Sequence, residues 1–359
     1  MIRRPSLRNL SLRECPPSRQ WGILIAASAT CMAGFSIMHV PAAFLLGAML
    51  TAILVALLEG TPRPPALLYT GAQGIVGCLV ASSFTPEILQ VLRRDWLLFL
   101  LVTASTLLVC SGIGWLLARR RLLPGSTAIW GSSPGGAMVM TLMSDRYGGD
   151  MRIVAVMQYS RVVLVTAVAT AVAHFWASGA AVQATPWFPE LHAGALCASV
   201  LVAIAGGWIA ERLHLPGGPL VWPMILASIL QMNGLLHIEL PLWLLAPTYA
   251  MLGWMIGLRF TRKALQDTAR ALPVILGAIC VLICLCAALG TALIHLMHID
   301  ALTAYLATSP GGLDAVAIIS TSSGADVPFV MAFQTARLFG VLIMGPTLAQ
   351  FATRRLQAE

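Results

Sequence analysis

The stretch Ser133–Arg161 reads SPGGAMVMTLMSDRYGGDMRIVAVMQYSR, and 176 residues further on Ser309–Arg337 reads SPGGLDAVAIISTSSGADVPFVMAFQTAR. Ten of the 29 positions are identical without a gap: the SPGG run, Ser144/Ser320, Gly148/Gly324, Asp150/Asp326, Val154/Val330, Gln158/Gln334 and Arg161/Arg337. The same offset pairs Gly77 with Gly253, Phe84 with Phe260 and Leu89 with Leu265, and an offset of 175 pairs His39 with His214 and Pro41 with Pro216. Self-similarity at a fixed spacing marks a duplicated structural unit. The chain reads as two tandem copies of about 160 residues each.

Around these blocks the sequence is apolar. Of 359 residues, 58% belong to the AVILMFWYC set and only 10% are charged, with a mean hydropathy of +0.84. A soluble domain is about one quarter charged, so this chain cannot cover a water-facing surface with ions. That excludes a soluble enzyme, a secreted disulfide scaffold or a DNA-binding domain as the main body. Twelve apolar segments lie near 21–38, 41–59, 66–84, 96–117, 125–144, 153–176, 191–210, 216–234, 241–259, 271–296, 301–320 and 327–351. Most approach the ~20 residues that cross a bilayer as a helix. They are continuously apolar rather than alternating, which favours helices over a barrel. Seven of the eight cysteines lie inside these runs without a CxxC pair, and read as small fillers of helix interfaces.

Charge then orders the segments. If all twelve cross, 11 Lys and Arg fall inside and 9 outside, no bias at all. If the two SPGG segments instead enter and return on one side, the count is 18 inside against 2 outside (Arg93 and Arg94), with Arg161 and Arg337 within helices. Cytoplasmic loops collect Lys and Arg, so the second arrangement is expected. Proline removes a backbone donor and Gly-Gly weakens a helix, so the SPGG centre is a natural break. Broken backbone at membrane depth must be shielded by protein or line a watery cavity; a proline kink in an ordinary spanning helix is the competing reading.

Five crossings per copy is odd, so the copies should be inverted. The loops agree: Arg119–Arg121 follow the fourth segment while its counterpart at 297–300 has no Lys or Arg, and the basic loop 259–270 answers a stretch carrying Glu87 and Asp95. The expected fold is therefore an all-α polytopic membrane protein with two inverted repeats, each of about five spanning helices plus one re-entrant SPGG segment. Its expected parts are a basic cytoplasmic tail at 1–20, repeat one at 21–176, a linker at 177–190, repeat two at 191–352 and a second cytoplasmic tail at 353–359. Without a clear cleavage site after the first apolar run, that run reads as a spanning helix rather than a signal peptide.

The candidate site follows from the doubled residues. Gln158–Arg161 and Gln334–Arg337 have a spacing of three, which puts amide and guanidinium on one helical face. A guanidinium at bilayer mid-depth costs several kcal/mol unless it faces the bundle interior with a partner. It can clamp an anion, since its planar fork suits carboxylate or phosphate, or it can tie down carbonyls freed by the break; both readings stay open. Ser133, Pro134, Gly135, Gly136 and Ser309, Pro310, Gly311, Gly312 would shape the site with free backbone groups and helix termini. Asp314, where the first copy has Met138, would either couple to H+ or Na+ or neutralise an arginine. Asp145, Asp150 and Asp326 belong to segment ends and read as caps or interfacial groups. No metal site, cofactor or catalytic residue is expected: His295 and His298 stand beside only Asp300, and no nucleotide loop or hydrolase elbow is present.

The paired SPGG…GxD…QxxR blocks, with His39–Pro41 and His214–Pro216, resemble the AbrB-type membrane duplication family over Trp21 to about Phe351. The resemblance implies a bacterial inner-membrane protein, and brings two labels: a regulator of gene expression and an ammonia monooxygenase. A 20-residue tail leaves no room for the small β-rich fold of the similarly named DNA-binding regulators. Direct nucleic-acid binding is not expected, because no basic face of any length exists. A monooxygenase should supply clustered metal ligands, which are not evident. The expected function is secondary transport of a small anionic solute by alternating access, with both termini cytoplasmic and a homo-oligomer left open. A membrane sensor acting indirectly on gene expression is the alternative, and a monooxygenase subunit the weaker one.

Overall fold

The computed structural model describes residues 12, 15–82, 94, 96–124, 126–133, 140, 144, 147–176, 187–188, 192–213 and 218–358, without the side chains of residues 314, 341–343, 345–346, 348–350 and 352–358. Among the described residues there are fourteen helices and no strand. The first copy holds α1 (Pro17–Ile37), α2 (Ala43–Leu57), α3 (Ala66–Ala81), α4 (Trp96–Arg119), α5 (Thr127–Ser132) and α6 (Met151–Trp176). The second holds α7 (Ala193–Arg212), α8 (Gly218–Met232), α9 (Leu242–Gly257), α10 (Arg262–Asp267), α11 (Leu272–Met297), α12 (Ala301–Thr308), α13 (Leu313–Ser323) and α14 (Val327–Ala358). The starts of α1, α3, α4 and α6 recur 176 residues later as those of α7, α9, α11 and α14, and α2 recurs as α8 at 175.

The chain is an all-α polytopic membrane protein. Helices α1, α4, α6, α7 and α11 have 20 to 26 residues and are apolar enough to cross a membrane. The sequence expectation of near-twenty-residue segments holds less well for α2, α3, α8 and α9, which have 15 or 16 residues. These four form the centre: α2 packs on α9, α3 on α8 and α3 on α9. Helix α1 begins at Pro17, where proline at the first turn gives up only a donor that would be unbonded anyway. Helix α14 continues through Ala358.

Close approach explains the repeated glycines. A Cβ on Gly253 would stand 2.6 Å from the Leu45 carbonyl oxygen, and one on its mate Gly77 would strike the Leu220 carbonyl. Small residues let membrane helices approach to backbone contact. Here they weld α9 to α2 and α3 to α8.

The residues on either side of each SPGG segment meet. The Ser126 hydroxyl donates to the Tyr147 carbonyl at 2.8 Å, and the Asp150 N–H donates to Thr127 Oγ1 at 2.9 Å. In the second copy the Asp326 N–H donates to Thr303 Oγ1, also at 2.9 Å. Entry and exit are thus stapled at one level, which a straight crossing of the segment cannot do. Each return ends on a glycine in the left-handed region, Gly148 at φ 76° and Gly324 at φ 75°, a conformation other residues adopt only at a cost. Asp150 and Asp326 cap the helices that follow, accepting from the N–H groups of Arg152 at 2.8 Å and Phe329 at 3.1 Å.

Contacts sort the chain onto two ends. At one, Glu59 meets Arg262 at 3.8 Å, Arg152 meets Asp267 at 3.4 Å, Thr70 meets Glu211 at 2.8 Å, and Ala118 and Leu123 share an apolar cluster with Ile153 and Leu265. At the other, Gln231 meets Ser82 at 3.1 Å, the Ala42 N–H meets Ser322 at 3.1 Å, and Phe99 stacks on Phe333 at 3.9 Å. The first hairpin opens at the basic end. Helix α11 starts there and runs 26 residues, about 39 Å at 1.5 Å per residue, before the second hairpin begins.

Candidate functional site

Arg161 and Arg337 each sit ten residues into their helices, about 15 Å from the start. The helices aim them at the breaks. Helix α5 ends at Ser133, whose backbone turns extended at φ −58° and ψ 121°; α12 ends at Ser309 with φ −61° and ψ 134°. Carbonyls that would have bonded onward along a helix are left over there.

The doubled glutamines and arginines take them. Gln158 Nε2 donates to the carbonyls of Trp130 at 3.1 Å and Ser133 at 2.9 Å. Gln334 Nε2 donates to the matching pair, Leu306 at 2.7 Å and Ser309 at 3.1 Å. Arg161 Nη2 donates to Gln158 Oε1 at 2.7 Å, while its Nη1 makes two long contacts at 3.4 Å to the Ser132 and Ser133 carbonyls. Arg337 donates from Nη1 to the Ser309 carbonyl and from Nη2 to the Gly311 carbonyl at 2.9 Å. In this conformation the tie to freed carbonyls, one of the two open readings, is the one observed.

That tie leaves capacity over. Arg161 Nε, Ser309 Oγ and Gln334 Oε1 are buried with no hydrogen-bond partner among the described residues. Each such atom costs about 1–3 kcal/mol unless something satisfies it. Beside Arg161 a cavity of about 10 Å³, room for one water, lies between Ser132, Met157 and Leu282. Among the described residues no carboxylate pairs with either arginine. The two guanidiniums lie within electrostatic reach of each other, so the region carries like charge.

The second break lies close to Arg161: Gly311 and Gly312 stand against Val165 and Val162 of α6, which follow Arg161 along the helix. Pro310 is buried at the same turn, and Gly312 caps α13. Asp314 is the second residue of α13; its side chain lies outside the description, as do Pro134, Gly135, Gly136 and Asp145. The structure therefore brings together Gln158, Arg161, Ser133, Ser309, Gly311, Gly312, Gln334 and Arg337.

It adds two residues that sequence reasoning missed. Cys110 and Cys286, read as fillers, share one buried cluster with Leu282 where α4 meets α11. Both lie near Arg161 and Arg337. Their signal was present, since 286 is 110 plus the repeat offset of 176.

Comparison with known proteins fits this architecture. A protein of Escherichia coli (strain K12) named "Putative regulator AbrB" is 43% identical over 338 residues, 93% of this chain and 97% of the relative. A Bacillus subtilis (strain 168) protein named "Uncharacterized protein YhjN" is 25% identical over 293 residues, 76% of each chain. No solved structure matches the chain. Residues 14–353 match the family described as "Transition state regulatory protein AbrB", and the chain belongs to that family.

Proposed function

We propose that the chain is a secondary carrier of a small anionic solute, working by alternating access between two inverted copies in a bacterial inner membrane with both termini cytoplasmic. One observation carries the reading: a buried arginine, Arg161, and a half-buried one, Arg337, stand at repeat-equivalent positions against the carbonyls where α5 and α12 end, with no described carboxylate to neutralise them. Such a place attracts an anion, and discontinuous helices at a repeat interface are how many carriers build a site. In this reading Arg161 and Arg337 bind the solute, Gln158 holds Arg161 in register, Gln334 holds the Leu306 and Ser309 carbonyls, the SPGG turns shape the site, and Asp314 takes H+ or Na+. The chain moves its solute and does not transform it. Protein reconstituted in liposomes under a proton or sodium gradient should take up a carboxylate, phosphate or sulfur oxyanion. Absence of uptake across all three classes overturns the carrier.

A second reading, a membrane sensor acting indirectly on gene expression, draws on the name of the Escherichia coli relative. It predicts a cytoplasmic partner on the basic 259–270 loop or the N-terminal tail. Deleting residues 1–20 should then abolish signalling while sparing solute binding.

A further inference from the structure

At the basic end, away from the paired arginines, a cavity of about 360 Å³ opens between the start of α6 and the segment around α10. Its cations are Arg152, Arg259 and Lys263, and its acid is Asp267. Arg259 stands over the Tyr159 ring at 5.3 Å, and Arg152 reaches Asp267 at 3.4 Å across the mouth. The inner wall is apolar, formed by Ala155 and Val156 of α6. Residues 152, 155, 156 and 159 make one helical stripe. Met157 and Arg161 lie on another, facing the seam between copies. The two places are therefore separate.

Shape and charge name the occupant. The cavity sits where a spanning helix leaves the hydrocarbon, so its wall is apolar and its rim is cationic. Three cations against one carboxylate leave an excess of two positive charges at the rim. Basic pockets between spanning helices at the cytoplasmic side suit anionic lipid headgroups. We propose that this cavity binds the headgroup of an anionic phospholipid, with Arg259, Lys263 and Arg152 around the phosphate and the α6 wall against the first acyl carbons. Asp267 competes with the phosphate for Arg152, so the lipid releases that bridge and loosens α10 from α6. The inference rests on the membrane fold and is independent of the solute carried.

The test uses the full chain in neutral detergent, incubated with equimolar phosphatidylglycerol and phosphatidylcholine of matched acyl chains, with bound lipid counted by native mass spectrometry. The wild type should retain phosphatidylglycerol preferentially. Each cation near a surface phosphate contributes roughly fivefold, so R259Q/K263Q should lower the preference at least tenfold. D267N should raise it, an outcome no folding defect imitates. R63Q/R120Q, which removes two exposed arginines of the same end, should leave it unchanged. Equal retention of the two lipids by wild type, an unchanged preference in R259Q/K263Q, no gain in D267N, or an equal loss in R63Q/R120Q overturns the proposal. Complete displacement by inorganic phosphate at the lipid's own concentration would assign the cavity to a soluble anion and overturn it as well.

Discussion

Arg161 spends one amino group on Gln158 and spreads the other over two carbonyls at 3.4 Å, so its hold on the break is loose. Arg337 grips harder, with a contact to Ser309 and one of 2.9 Å to Gly311. The looser arginine is the better candidate to trade a carbonyl for a solute. Arg161→Lys keeps the charge but loses the fork, and Arg161→Gln loses both. Lysine should weaken solute uptake by about tenfold and glutamine by about hundredfold, since truncating a buried charged hydrogen-bonding group costs ~2–5 kcal/mol. Uptake affinity measured beside thermal unfolding separates the roles: a purely structural arginine would lower both in proportion. Away from the site, Glu239 accepts from the His192 N–H at 2.8 Å and contacts its ring at 3.0 Å. The His192 N–H foremost, then the ring, holds the Glu239 carboxyl below its usual range. A depressed carboxylate stabilises fully above the ordinary glutamate value and loses that contribution as pH falls through the lowered one. Melting temperature should therefore fall less between pH 5 and 3 in Glu239→Gln than in wild type; identical profiles would remove the pair's role.

At the scale of elements, glycine tells packed helix faces from lipid-facing ones. Gly253→Ala puts a methyl 2.6 Å from a backbone oxygen, which cannot rotate away. Overpacking of this kind costs ~1–3 kcal/mol. Gly277 in α11 has nothing within 4 Å, so Gly277→Ala should be neutral or stabilise by up to ~1 kcal/mol. Opposite signs in thermal unfolding are the expected result. The same elements show what the sequence could tell. The helical class, the doubled unit and the break after Ser309 were legible because each leaves a local mark: apolar runs, a fixed offset, Pro and Gly-Gly inside an apolar stretch. The Gln–Arg face was legible from its spacing of three. The thiol pair was not read, because nothing local sets Cys110 apart from Cys78; only the crossing of α4 on α11 gives it neighbours. Nor was α10, a six-residue turn whose apolar Ala264 and Leu265 lie inside a run read only for its charge.

For the whole molecule, the decisive relation is that contacts between the two copies come in equivalent pairs. Helix α2 packs on α9 as α8 packs on α3, and α4 packs on α14 as α11 packs on α6. Exchanging the copies maps each contact onto another, so the halves interlock rather than sit side by side. The hairpin of the first copy opens where Glu59, Arg152 and Arg262 gather, while that of the second opens where Phe99 meets Phe329. If the copies are inverted across a bilayer, these are the two aqueous sides. A chain freed of its eight native cysteines should then react with an impermeant thiol reagent from opposite sides according to position. Glu59→Cys and Lys263→Cys should label only when the cytoplasmic side is exposed, and Leu235→Cys and Trp187→Cys only from the outside. Arg262 already touches Glu59, so the first pair shares an end by direct contact, while Leu235 follows the 15-residue α8 away from that end. Glu59 and Leu235 are equivalent positions at the repeat offset of 176, so labelling of both from a single side would mean parallel copies. The two guanidiniums would then no longer be served by gates on opposite faces, and alternating access would lose its geometry.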